Sequence, residues 1–220
     1  MQGYKIRLIR HGMTSANTEG RYIGITDTPL SEQGIKDLYE KAENLEYGGV
    51  QKVYTSPLKR CKQTASIIYP NCYTVELPEL REMDFGKFEN KKAEELMDTP
   101  EYKQYIKGGL DNPPPGGESA RDMVNRCYEA IKIIISDMMY EGLTSAAVVT
   151  HGGIIMNMLS CFGVPKRRPM DYACDFGEGF EVLVTASMWQ RSEAFEVLGR
   201  YPDRDPDENY GSFYDEEEGE

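Results

Sequence analysis

Ala146-Ala147-Val148-Val149-Thr150-His151-Gly152-Gly153-Ile154-Ile155 is the stretch on which the fold turns. Its first five residues form a near-continuous apolar run, the pattern of a strand buried on both faces of a mainly parallel sheet. The run ends in a histidine followed at once by glycine, and an apolar helical stretch over 154–162 continues from it. Residues 5–10 repeat the arrangement, with Ile6, Leu8 and Ile9 apolar before His11-Gly12.

Working outward, Ser31 suits a helix N-cap, and Ile35, Leu38, Ala42 and Leu45 recur at helical spacing before Gly48-Gly49. Residues 53–56 read as a second strand. Pro57 then fits the first turn of a helix through Ile68 and places Arg60 about one turn in. A short strand over 73–77 follows. Residues 78–118 mix charged short helices with the Pro113-Pro114-Pro115-Gly116-Gly117 run and read as a functional insertion. Ser119 caps a long helix to about Tyr140, with Val124, Cys127, Ile131, Ile134 and Met138 as its buried stripe. Two last strands are expected near 181–185 and 194–199. The order β-α-β-α-β, insertion, α-β-α-β-β predicts a three-layer α/β/α domain over residues 1–201 with a mostly parallel mixed sheet.

The net charge of −12 is concentrated at one end. Residues 203–220 hold nine acids and one base, so the remainder carries 28 acids against 24 bases. Residues 202–220 therefore read as an acidic, disordered tail. An acidic chain is a poor general partner for nucleic acid or an anionic membrane, although a local arginine cluster can still bind a small anion. Five widely spaced cysteines without a C-x-x-C pair fit a reducing compartment. The first ten residues lack the apolar run of a signal peptide. The expectation is a soluble cytoplasmic protein without a membrane partner. A homodimer is compatible with the sequence, which does not decide the assembly.

The chain has only two histidines, and each ends a strand and precedes a glycine. Ligands of open α/β sheets bind at the carboxyl ends of strands, so both imidazoles should face one crevice. A zinc site would need a third ligand, which no H-x-H or H-E-x-x-H spacing supplies, so neither metal nor cofactor is expected. A neutral imidazole can attack phosphorus in line and hold the phosphoryl group. Arg10 stands beside His11 with a fixed cation, and Gly12 lets the backbone approach a phosphate. Arg60, near a helix N-terminus, can grip two phosphate oxygens in a fork.

Together these blocks carry a resemblance. Leu8-Ile9-Arg10-His11-Gly12-Met13-Thr14-Ser15-Ala16-Asn17 and Gly24-Ile25-Thr26-Asp27-Thr28-Pro29-Leu30-Ser31-Glu32-Gln33-Gly34 look like the opening of the histidine phosphatase superfamily, the phosphoglycerate mutase-like family. Residues 56–65, Leu80-Arg81-Glu82-Met83-Asp84-Phe85-Gly86 and Val149-Thr150-His151-Gly152-Gly153 match its other blocks in order. The resemblance implies a sheet flanked by helices with a lid over the site. It makes His11 the phosphorylated nucleophile and puts Arg10, Arg60 and His151 in the phosphate pocket. Asn17 and Gly152 become further substrate contacts, and Glu82 the proton donor.

Among the family's activities, mutases follow the glutamate with an arginine and place paired arginines before a proline run. Here Met83 follows Glu82, Met13 replaces the usual acid after R-H-G, and residues 108–112 contain no arginine. The resemblance is to the phosphatase group that includes α-ribazole and broad-specificity phosphatases, acting on a small phosphorylated metabolite. A cofactor-dependent mutase and a non-catalytic phospho-ligand-binding protein are the alternatives. The lid aromatics Phe85, Phe88, Tyr102 and Tyr105 are expected either to stack on a ring or to pack.

Overall fold

A computed structural model describes residues 2–202. The acidic stretch 203–220, expected to be disordered, lies outside the described residues. The strands are β1 (Gly3–Arg10), β2 (Lys52–Thr55), β3 (Thr74–Glu76), β4 (Ser145–Thr150), β5 (Gly163–Val164), β6 (Gly179–Thr185) and β7 (Phe195–Tyr201). They form one mixed sheet in the order β3-β2-β4-β1-β6-β7-β5. The four pairs β3-β2, β2-β4, β4-β1 and β7-β5 are parallel, whereas β6 runs antiparallel to both β1 and β7. The expectation of a mostly parallel α/β sheet holds.

The helices are α1 (Ser15–Thr18), α2 (Glu32–Asn44), α3 (Lys59–Ile68), α4 (Ala93–Leu96), α5 (Pro100–Lys107), α6 (Ala120–Glu141), α7 (Gly152–Phe162) and α8 (Ala186–Ser192). Side chains alternate across β4, and this splits the core in two. Ala146 and Val148 face Ile6, Leu8 and the apolar sides of α6 and α7. Ala147 and Val149 face Ile9, Val53 and residues of α2 and α3. Both cores are dry. Burying a Val or Leu side chain contributes about 1.5–3 kcal/mol, which fixes the register of this central strand.

Several boundaries differ from the sequence reading. The buried stripe of α6 starts at Met123, with Val124 only half-buried on its shoulder. Pro57 precedes the N-cap Leu58, so Arg60 is the second residue of α3 rather than one turn in. The short α1, α8 and β5 were not expected. Ser31 and Ser119 do cap α2 and α6, accepting from Gly34 N at 3.0 Å and Asp122 N at 3.1 Å. Gly34 also has a packing role, because a Cβ there would stand 2.1 Å from the Met13 carbonyl. Its absence seats α2 against the loop that follows His11.

No helix among the described residues is long and apolar enough to cross a membrane. The five cysteines are free, with Cys61, Cys127 and Cys174 buried.

Candidate active site

β1 and β4 are neighbours in parallel register, with Arg10 paired to Thr150. Their next residues, His11 and His151, therefore emerge side by side, and His11 N–H donates to the Thr150 carbonyl at 2.9 Å. The imidazole centroids lie 5.1 Å apart. The matched strand ends of the sequence do lie side by side, because the central strands pair directly.

The His11 ring is oriented from within its own loop. Nδ1 lies 2.6 Å from the Gly12 carbonyl, which requires Nδ1 to carry the proton and leaves the lone pair on Nε2. Burial depresses the pKa of His11 to about 3, with Arg60 and Arg10 adding to the effect against the Gly12 bond. The imidazole is neutral and nucleophilic near neutral pH. His151 is also held well below its ordinary value, first by burial and then by the charges around it. It accepts from Arg60 Nε at 3.3 Å on Nδ1, so its Nε2–H donates to Ser56 Oγ at 2.9 Å.

Arg10, His11, Asn17, Glu82 and Gly152 line one cavity of about 270 Å³. Arg60 and His151 do not line it. Both are about 99% buried and form the layer behind His11. Arg60 spends two of its five N–H groups on the carbonyls of Gly24 (2.7 Å) and Thr26 (2.8 Å). Reading both as pocket walls is corrected in this respect. Arg60 stands about half a turn nearer the start of α3 than expected, and its guanidinium is held against the 24–26 loop. Glu89 holds the other side of that loop, accepting from the backbone N–H groups of Gly24, Ile25 and Thr26.

Arg10 is fixed by Cys174 O at 2.7 Å and by the face of Phe176 at 3.9 Å. Its Nε is buried without a partner, a donor that an anion in the cavity would satisfy. Asn17 caps α1 with its oxygen, which accepts from Thr14 N at 3.0 Å, leaving the NH₂ as the group it can offer.

Glu82 sits in the loop that follows the 3₁₀ turn Pro78–Leu80. Its carboxylate accepts from Met83 N at 2.9 Å and Gly153 N at 3.1 Å. Desolvation outweighs those bonds and the nearby guanidinium groups, so its pKa is raised. A carboxyl with a raised pKa that shares its cavity with a neutral imidazole and a fixed arginine matches the needs of phosphoryl transfer to histidine.

This arrangement has relatives. Residues 6–186 match the histidine phosphatase superfamily (branch 1). The chain belongs to that superfamily. It is similar to the "probable phosphoglycerate mutase GpmB" of Cronobacter sakazakii, 33% identical over 131 residues. That match covers 58% of this chain, and the chain spans only 61% of the relative's length. The fold is similar to a putative α-ribazole-5′-P phosphatase from Escherichia coli, with a TM-score of 0.75, 22% identity, and coverage of 89% and 95%. It is also similar to mycobacterial glucosyl-3-phosphoglycerate phosphatase, with a TM-score of 0.75, 20% identity, and coverage of 90% and 98%.

Within residues 78–118, Phe88 and Tyr102 are buried in a small core with Leu96, and Tyr105 packs on them. Phe85 alone of the four lid aromatics reaches the cavity, where Arg21, Tyr22 and Met156 also stand. Sequence reasoning missed Arg21 and Tyr22, which lie in a stretch without periodic signal. Proximity to the Gly24 motif was the available hint.

Proposed function

We propose that the chain is a phosphomonoesterase, acting through a phosphohistidine at His11 on a small phosphorylated metabolite. The observation that carries the reading is the cavity shared by Arg10, His11 and Glu82. Residues 1–201 act as one catalytic unit, with 78–118 as the lid.

His11 Nε2 attacks phosphorus, and the P–O ester bond breaks. Glu82 passes its proton to the departing alkoxide, so an alcohol leaves. The charge on the transferring oxygens is met by Arg10, with its unpartnered Nε. Arg60 has two unused N–H groups behind His11, and Asn17 offers its NH₂ at the rim. Neutral His151, whose Nε2–H is given to Ser56 Oγ, orients Arg60 from the layer behind through its Nδ1. In the second half, Glu82 takes a proton from water, whose oxygen attacks the phosphoryl group. Inorganic phosphate leaves, and the electron pair returns to Nε2.

A mutase reading is the second possibility, favoured by the name of the Cronobacter relative. Met83 after Glu82 and an arginine-free 108–112 segment weigh against it, since a phosphoglycerate carboxylate would lack its usual partners. The test is a panel of sugar phosphates, nucleotides, phosphoglycerates and α-ribazole phosphate, assayed with chelator present. Release of inorganic phosphate supports the hydrolase. Interconversion of phosphoglycerates dependent on a bisphosphate primer, without phosphate release, would replace it with the mutase.

A further inference from the structure

Arg10 brings a fixed charge to the cavity, and the turn that leads into β6 holds its side chain. β6 lies beside β1 with Gly179 paired to Ile9, so residues 175–178 arrive at the strand end that carries Arg10. Their backbone is pinned on several sides. Arg10 N–H donates to Glu178 O at 2.8 Å, and Gly177 N–H donates to Arg10 O at 2.9 Å. Gly177 O accepts from the Tyr47 hydroxyl at 2.8 Å. Phe176 O accepts from Lys41 Nζ at 3.0 Å, and the same ammonium pairs with the buried Glu178 carboxylate. Gly177 has a φ of +79°, which a side chain would strain, and a Cβ there would meet Leu38 Cδ2 at 2.7 Å.

This backbone presents the Phe176 ring to the Arg10 guanidinium, whose central carbon lies 3.9 Å from the ring centroid. That is the separation of stacked planes. The five guanidinium donors lie in its own plane, so a hold on the face consumes none of them. Nη1 is spent on Cys174 O, while Nε stays buried and unpartnered. Arg60 is held differently, through N–H groups given to two carbonyls. Burial opposes the Arg10 charge and lowers its pKa, and the electron-rich ring face offsets part of that effect. The His11 ring also lies near Phe176, at 6.0 Å, but the imidazole is neutral, so the charge that the ring face meets is that of Arg10.

We propose that Phe176 is a positioning residue of the phosphate site, its ring holding the Arg10 guanidinium so that Nε is kept for the incoming anion. This deepens the phosphomonoesterase reading, in which Arg10 meets the transferring oxygens. The role is exerted on anion binding, before any bond breaks. When the attraction of the ring is weakened, the guanidinium spends part of its time off the face, and the apparent affinity falls by the fraction lost.

The test places phenylalanines carrying one, two and three ring fluorines at position 176 of the full chain. Fluorine withdraws electron density from the ring face and leaves the shape nearly unchanged, so it weakens a cation–π contact selectively. The probe is inorganic phosphate, titrated calorimetrically. Affinity should fall stepwise along the series by about three- to thirtyfold in total, the span of such a contact from exposed to desolvated settings. Phe176→Leu should lose as much and Phe176→Tyr should retain the wild-type affinity, with circular dichroism confirming that each variant folds. A ring that only fills space would leave the fluorinated series level. Affinity that stays level or rises along the series, or a wild type that binds no phosphate, overturns the role of Phe176. A series that falls as expected, in a protein that hydrolyses no phosphomonoester, upholds that role and removes the phosphomonoesterase reading instead.

Discussion

Glu82 accepts a hydrogen bond from Gly153 N at 3.1 Å, which ties the lid's first loop to the opening turn of α7, two residues beyond His151. The bond joins two segments 71 residues apart and places a carboxyl on the rim of the His11 cavity. It also explains Gly153, where a Cβ would meet Glu82 Oε1 at 2.7 Å.

The first prediction concerns that carboxyl. Glu82→Gln retains the shape and removes the transferable proton. Turnover of alkyl phosphates should fall by roughly 10²–10⁴-fold. para-Nitrophenyl phosphate, whose leaving group is a stable anion, should lose much less when phosphoenzyme formation limits the rate. If its hydrolysis limits instead, phosphoenzyme should accumulate as a burst. Equal modest losses on both esters without a burst would remove Glu82 from the mechanism and point to Asp84.

A second prediction concerns how Glu82 is held. Arg126 donates to the carbonyls of Glu79 and Arg81, each at 2.7 Å, and pairs with Glu118 at 2.6 Å. Both side chains are 10% exposed. Arg126→Met should therefore cost about 3–5 kcal/mol of stability, because Glu118 is left as an uncompensated charge. Arg126→Lys keeps the charge but not the fork. It should fold and show the leaving-group pattern of Glu82→Gln in milder form. Denaturant unfolding and paired kinetics on alkyl and aryl esters measure the two effects.

A third prediction follows from the depressed histidines. His11 titrates near 3 in the folded chain and at about its ordinary 6.5 when unfolded. Between those values the unfolded state binds more protons, so stability is lost as pH falls through that window. His151 acts in the same direction. The raised Glu82 has the opposite sign, since its contribution is present at low pH and is lost as pH rises toward its folded value. The midpoint of urea unfolding should drop from pH 6.5 toward pH 4, with a shallower slope in His11→Gln. An unchanged slope would mean that His11 is not buried neutral.

Much of this was legible in the sequence because the central strands carry two signals at once. The apolar run over 146–150 announces burial on both faces, and His151 after it marks the strand end. The same pattern at His11 predicts neighbouring imidazoles, and the rings do lie 5.1 Å apart, although only His11 lines the cavity. What the sequence hid depends on approach rather than pattern. Arg60 reads as a phosphate ligand from its motif, yet the backbone carbonyls of Gly24 and Thr26 draw it behind the cavity. Arg21 and Tyr22 reach the cavity from a loop with no periodicity. The short α8 gives too few turns for a helical period, and its Trp189 instead packs on Tyr128 and Phe162.

The central claim is that His11 itself carries the phosphoryl group, and rapid-quench trapping tests it most directly. Wild-type protein mixed with a labelled substrate and denatured in alkali should retain phosphate that is base-stable and acid-labile. Peptide mapping should place it on His11, and His11→Ala should retain none and turn over nothing. Label on any other residue, or an active His11→Ala protein, would contradict the account.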